Sequence, residues 1–179
     1  MKNKKVLIIT QAAAIAAIYV ILTYIANAFG LANYAIQVRF SEALTILPYF
    51  TPVAIPGLFV GCIISNILTG CMPLDVIFGS LATLIGAIGT HYIGKFVRKA
   101  PTTSPARKAL KYLTPLPPII ANTLIVPYVL SYVYHFEGSI PYFMLTVGLG
   151  ELISCGLLGL LLQTSLQKYA PTLFPTPKN

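Results

Sequence analysis

Only four of the 179 residues in this chain are acidic, and three of them fall in apolar sequence: Glu42, Asp75 and Glu151. Arg39 stands three residues before Glu42, in QVRFSEALTIL. Carboxylates accept N–H donors in pairs, and a guanidinium presents a fork of donors that suits a carbonyl or a carboxylate. Together these residues sum to +1 from Arg39 against −3 from the three carboxylates if ionised. That balance suits a small cationic ligand, or one rich in N–H donors. Asn66 and Asn122, inside apolar runs, add amide groups of both polarities.

Each residue also has a simpler reading. Asp75 follows Pro73 at a helix start, where a carboxylate accepts orphan N–H groups and suits the dipole. Glu42 follows Ser41 at another helix start and could cap it. Arg39 could snorkel to the outer surface. Glu151 could form a buried pair with Arg39, and Asn66 and Asn122 could bond between helices. Glu151 is the sharpest case. It lies about ten residues, roughly 15 Å, into its helix, amid the glycines of GLGELI. A charge near mid-bilayer costs about 2.5–3.5 kcal/mol on insertion scales, so it needs a partner or a function. His135 and Glu137 sit in a short outer loop, and Tyr34, Tyr128 and Tyr142 form an interfacial tyrosine belt.

Catalytic patterns are absent from the sequence: no HExxH, no GxSxG, and no Cys–His arrangement with a base. GTHYIGK, Gly89 to Lys95, fits GxxxxGK. Phe96 occupies the place of the magnesium-binding Ser or Thr, and the segment ends an apolar helix rather than following a strand. His91 within it reads as an interfacial residue. The cysteines Cys62, Cys71 and Cys155 are odd in number and form no CxxC, so they read as small apolar residues rather than as a disulfide or metal set. No enzyme, cofactor or metal is expected.

The elements that carry these residues belong in a membrane. Apolar residues make up 56% of the chain and charged residues 9%, against about 25% charged in soluble domains, and the mean hydropathy is +0.80. The length allows about six crossings of roughly 20 residues, in one membrane domain with an irregular tail from 171 to 179. The net charge of +8 sits at segment ends, as the positive-inside rule predicts, and does not indicate nucleic acid. MKNKK and the long apolar run after it read as a retained first helix rather than a cleaved signal.

Apolar runs cover 6–29, 57–70, 74–94, 116–134 and 141–167. Lys2, Lys4 and Lys5 place the N-terminus in the cytoplasm. The loop 100–111, with its basic neighbours, belongs there too, and so do Lys168 and Lys178. An even number of crossings must separate the first group from the second, yet only three long runs do. The fourth crossing is expected within 40–52, as a short broken helix that turns back at YFTPVAIP, where Pro48, Pro52 and Pro56 disfavour a straight span. Irregular backbone at that depth must be received by protein or a cavity. The predicted fold is an all-α integral membrane protein of six transmembrane helices, the second short and broken, with both termini cytoplasmic. Ala12, Ala13, Ala16 and Ala17 make a smooth ridge on the first helix, for internal packing or for a membrane partner. Gly57 and Gly61 form a GxxxG read as internal packing.

QVRFSEALTILPYF, AIPGLFVGCIISNI, PLDVIFGSLATLIGA and GLGELI, in that order, together resemble the QueT family, the substrate-binding S components of energy-coupling factor (ECF) transporters. The resemblance runs from about residue 5 to 165. THYIGKFVRKAPTTSPARKAL carries none of it. It implies uptake of a queuosine precursor, a 7-deazaguanine such as 7-aminomethyl-7-deazaguanine, across a prokaryotic cytoplasmic membrane. It also implies partners: a membrane scaffold subunit, met by the alanine ridge, and two cytoplasmic ATPase subunits. For such a ligand Glu151 and Glu42 are the expected carboxylates, with Asp75 third. Asn66 and Asn122 would supply amide contacts, and Arg39 or an Asn would meet the ring oxygen. An S component for another vitamin-like molecule and a stand-alone secondary carrier are the alternatives.

Overall fold

A computed structural model describes residues 2–31, 37–101 and 104–174, and all regular structure among them is helical. A backbone in hydrocarbon must satisfy its own polar groups, which the helix does within one segment. α1 spans Lys2–Ala28, α2 Ala54–Leu68, α3 Pro73–Lys99, α4 Pro105–Tyr112 and α5 Leu116–Tyr132. α6 (Ile140–Glu151) continues through a π-helical stretch, Leu152–Leu158, into α7 (Gly159–Gln167), and α8 is one turn, Ala170–Leu173. Among the described residues, four stretches are long and apolar enough to cross a membrane: Lys4–Ala28, Pro73–Lys99, Ala109–Tyr132 and Ile140–Gln167. α2 is shorter, at 15 residues.

α1 and α2 stop in the same way. Gly30 and Gly70 adopt φ of +71° and +76°, a conformation that costs glycine nothing. The Gly30 N–H donates to the Asn27 carbonyl and Leu31 to Ala26. Gly70 likewise donates to Ile67, and Cys71 to Asn66. This paired pattern closes a helix C-terminus. Pro73 then opens α3, so α2 and α3 form a tight hairpin.

Two close approaches set the helix layout. A Cβ on Gly57 would lie 2.7 Å from the Ala12 carbonyl oxygen, and one on Gly61 would lie 3.0 Å from Ala16 Cα. α1 and α2 therefore run side by side in the same direction. A Cβ on Gly86 would lie 2.5 Å from Pro118 Cα, and one on Gly89 would lie 2.5 Å from Pro117 Cβ. α3 and α5 cross there, antiparallel.

Two parallel helices need a return path, and Phe40–Tyr49 provides it as a 3-10 helix. Ser41 through Tyr49 are all buried. The segment starts near Thr23 of α1 and Ser154, and ends where Arg98 Nη1 donates to the Tyr49 carbonyl and His91 Nδ1 meets the Pro48 carbonyl at 3.2 Å. A 3-10 helix rises about 2.0 Å per residue against 1.5 Å for an α-helix, so ten residues reach about 20 Å. Runs this long are uncommon. Here the surrounding helices receive it from every side, and side chains on α3 take two of its last carbonyls.

The stretch expected as a short broken helix within 40–52 is a regular 3-10 helix followed by a turn. Two other expectations need correcting. The stretch 100–111 is not all loop, because Pro105 suits a first helical turn and ARKALK favours helix. The tail is not irregular from 171: α8 reaches Leu173, whose carbonyl accepts from Gln11 Nε2 at 3.1 Å, and Phe174 stacks on Phe50. Tyr34 and Lys178 lie outside the described residues. Tyr128 and Tyr142 are exposed on α5 and α6, and His135 and Glu137 are exposed in the connection before α6.

Candidate functional site

The bundle brings all six candidate polar residues to two adjoining cavities. The larger, about 310 Å3, is lined by Arg39, Asn66 and Asp75, with Gln37, Tyr134 and Phe136 among its other walls. The smaller, about 20 Å3, is lined by Arg39, Glu42, Asn122 and Glu151, with Gln37 and Thr83. Gln37, Arg39 and Val126 belong to both. Two other grooves, about 360 and 590 Å3, are lined mostly by aliphatic residues of α3, α5 and α6 and carry no charged side chain, which suits acyl chains.

Glu42 and Asp75 lie in the first turns of the 3-10 helix and of α3, where a carboxylate suits the helix dipole. The residues before their helices, Arg39 and Met72, make no side-chain cap bond. Instead the Tyr19 hydroxyl donates to Glu42 Oε1, so Glu42 takes its hydrogen bond from α1 and not from Arg39. Asp75 Oδ2 accepts the Tyr134 hydroxyl at 2.8 Å, and the Tyr134 oxygen accepts the Met72 N–H at 3.1 Å. Burial first, then the neighbouring Asp75 carboxylate, push the Tyr134 phenol well above its ordinary pKa, against the Met72 N–H that lowers it. Tyr134 is therefore a protonated donor at neutral pH. Its ring and that of Phe136 lie 5.6 Å apart at one wall of the larger cavity.

Glu151 ends α6, and the π-helical stretch follows it directly. Such stretches occur often at functional sites. Here the stretch brings Ser154 and Cys155 against the 3-10 segment. Ser154 Oγ accepts the Arg39 backbone N–H at 3.1 Å. The Cys155 thiol lies 3.0 Å from Glu151 Oε2 and 3.4 Å from Thr45 Oγ1. Cys62 accepts from Thr83 at 3.4 Å and from Asn66 Nδ2 at 3.6 Å, and Cys71 lines the larger cavity. All three cysteines are free, Cys62 and Cys155 buried, and each touches or borders the candidate site. Tyr19, Thr83, Gln37 and Tyr134 were missed as site residues. Their only signal was a polar group inside an apolar run, which many structural residues share.

Two side-chain atoms of the smaller cavity have no hydrogen-bond partner among the described residues: the acceptor Glu42 Oε2 and the donor Asn122 Nδ2. Their residues are only 2% and 4% exposed. An unpaired buried polar group costs about 1–3 kcal/mol, and a molecule that donates to Glu42 Oε2 and accepts from Asn122 Nδ2 would remove that cost. Tyr19→Phe tests the support of Glu42. It strips the bonded oxygen as well and should lower stability by about 1–3 kcal/mol, read as a lower melting temperature in detergent, with weaker ligand binding. An unchanged melt would mean that Tyr19 only fills space.

The alanine ridge divides. Ala16 is buried and Ala12 half-buried against the α2 glycines, while Ala13 and Ala17 are exposed. The internal packing read for Gly57 and Gly61 is what the structure uses.

Residues 9–168 match the family described as QueT transporter. The chain belongs to the QueT transporter family. It is 39% identical over 85 residues to the queuosine precursor transporter QueT of Lactococcus lactis subsp. cremoris strain MG1363. That similarity covers 48% of this chain and 50% of the relative, so the matched region spans about half of each. No solved structure matches the chain. Membership of a transporter family, with four helices apolar and long enough to span, makes this a multi-pass membrane protein.

Proposed function

We propose that the chain is the substrate-binding membrane subunit of an ECF-type, ATP-driven importer in a prokaryotic cytoplasmic membrane. Its substrate is a queuosine precursor, a 7-deazaguanine such as 7-aminomethyl-7-deazaguanine. One observation carries the site: Arg39, Glu42, Asn66, Asp75, Asn122 and Glu151, scattered over five segments, converge on one pair of joined cavities with an unpartnered acceptor and an unpartnered donor inside. A deazaguanine supplies what that arrangement lacks. Its ring N–H and exocyclic amine donate to carboxylates, and its carbonyl accepts from an amide or from Arg39.

In this reading α1, the 3-10 segment, α2, α3, α5 and α6–α7 are six crossings. Both termini and α4 are cytoplasmic, and the cavities open outward. Eleven of the twelve Lys and Arg residues then lie on the cytoplasmic side, Arg39 being the other. The exposed Ala13 and Ala17 face a membrane scaffold subunit that carries two ATPases. The chain supplies binding, and its partners supply energy.

Mass spectrometry of the small molecule that co-purifies with the protein tests the ligand: a 7-deazaguanine is expected, and riboflavin or thiamine instead would overturn the assignment. Uptake in cells lacking the ATPase subunits tests the coupling. Loss is expected, and survival would make the chain a self-sufficient carrier. Glu151→Gln should weaken ligand binding about 10- to 100-fold, the worth of one charge-assisted hydrogen bond, with little change in melting temperature. Equal affinity in the variant would remove Glu151 from the site.

A further inference from the structure

The two cavities differ in what they can hold, and this bears on which end of the ligand enters first. The smaller, at about 20 Å3, has room for one group the size of a water molecule. A bicyclic ring does not enter it. The larger, at about 310 Å3, reaches the lower end of ordinary small-molecule pockets and has the Tyr134 and Phe136 rings on its wall. Charge is divided as well. Glu42 and Glu151 both line the small space, whereas Asp75 lines the large one.

We propose, building on the deazaguanine reading above, that the small inner cavity is a subsite for a primary ammonium arm, and that the ring stays in the outer cavity. Glu42 is 2% exposed and its Oε2 has no partner, while Tyr19 holds its other oxygen. Glu151 is anchored by the Cys155 thiol at Oε2. Glu42 and Glu151 bring carboxylate oxygens within 4.8 Å of each other, and with Glu42 Oε2 free the pair fits a compact group with three donors, which is an ammonium. Arg39, whose side chain borders both cavities, offsets part of their charge.

The second orphan atom agrees with this orientation. Asn122 Nδ2 is a donor, which an ammonium cannot satisfy. In a 7-aminomethyl-7-deazaguanine the ring carbonyl lies beside the arm, on the same flank of the bicycle. An arm placed between Glu42 and Glu151 brings that carbonyl toward Asn122. The opposite flank, with its exocyclic amine, then faces Asp75 in the outer cavity, where Tyr134 already occupies Oδ2 and leaves Oδ1 for the ligand. The ring keeps its faces for Tyr134 and Phe136.

The test is equilibrium binding to the purified full chain, with four probes: 7-aminomethyl-7-deazaguanine, its 7-cyano counterpart, 7-deazaguanine without an arm, and the N,N-dimethylated aminomethyl compound. The primary amine should bind about 10- to 100-fold tighter than the armless ring, as expected for a charge-assisted hydrogen bond. The cyano compound should gain none of this. In Glu42→Gln and in Glu151→Gln the amine's advantage should fall to about threefold or less. Asp75→Asn should weaken the amine and the armless ring by the same factor. Dimethylation should remove about tenfold or more in the wild type, since two methyls exceed the inner space. This comparison needs no variant to fold. An amine no tighter than the armless ring, an advantage unchanged in both glutamate variants, or a dimethylated arm bound as tightly as the primary one would overturn the proposal. If none of the four binds, the deazaguanine reading itself fails.

Discussion

Gly150→Ala is expected to weaken ligand binding strongly and lower the melting temperature, while Gly148→Ala, two residues earlier, does neither. A Cβ at Gly150 would lie 2.2 Å from the Gln37 carbonyl oxygen and 3.0 Å from its carbon. Both atoms are backbone, so no rotamer change relieves the clash, and overpacking of this kind costs about 1–3 kcal/mol. The displaced segment is also the wall of the site. Gln37 and Arg39 border both cavities, and the Arg39 N–H is tied to Ser154 Oγ. Binding constellations tolerate only about 0.5 Å of displacement, so an affinity loss beyond about tenfold is expected. At Gly148 the new Cβ would meet Thr123 Cγ2 and Oγ1 at 3.5 Å, an ordinary contact. Alanine there is preferred over glycine by about 1 kcal/mol in a helix. Titration and thermal melts in detergent, run on both variants, decide the matter. Unchanged affinity in Gly150→Ala would show that the segment 37–39 is not a wall of the ligand site.

The second large effect separates the two halves of the alanine ridge. Ala13→Leu with Ala17→Leu should leave ligand affinity within about twofold and abolish transport, because both residues are exposed on α1 and a close helix interface with a partner admits only small side chains. Ala16→Leu should act differently. Ala16 is buried where Gly61 would place a Cβ within 3.0 Å of its Cα, so leucine overpacks the α1–α2 contact by about 1–3 kcal/mol. Tyr19 lies one turn on, hydrogen-bonded to Glu42, so binding should weaken as well. Uptake assays and co-purification with the proposed scaffold subunit, beside binding titrations, give the three readouts. A double variant that assembles and transports normally would confine the ridge to internal packing.

Much of this could be read from the sequence, for physical reasons. Apolar runs bounded by Lys and Arg report helices because a bilayer leaves few other solutions for backbone polar groups, and Pro48, Pro52 and Pro56 mark the segment around them as short. Carboxylates and amides in such runs are expensive enough to mark themselves, so six of the polar residues lining the cavities stood out by burial cost. What the sequence left open are matters of partner and orientation between distant segments. Capping and ligand contact both stayed open for Glu42 and Asp75, because local sequence holds a helix start but not Tyr19, which lies 23 positions away, or Tyr134, which lies 59 away. The 3-10 geometry of Phe40–Tyr49 comes from the helices that enclose it, and propensity does not encode it. Small residues likewise reveal close packing, but not on which side. The sequence alone determined a membrane bundle with a few costly polar groups inside. Only the tertiary structure decided that Ala12 and Ala16 face inward and Ala13 and Ala17 outward, and that Glu42 and Asn122 each keep one unpaired atom in the same small space, since both depend on how helices distant in sequence come together.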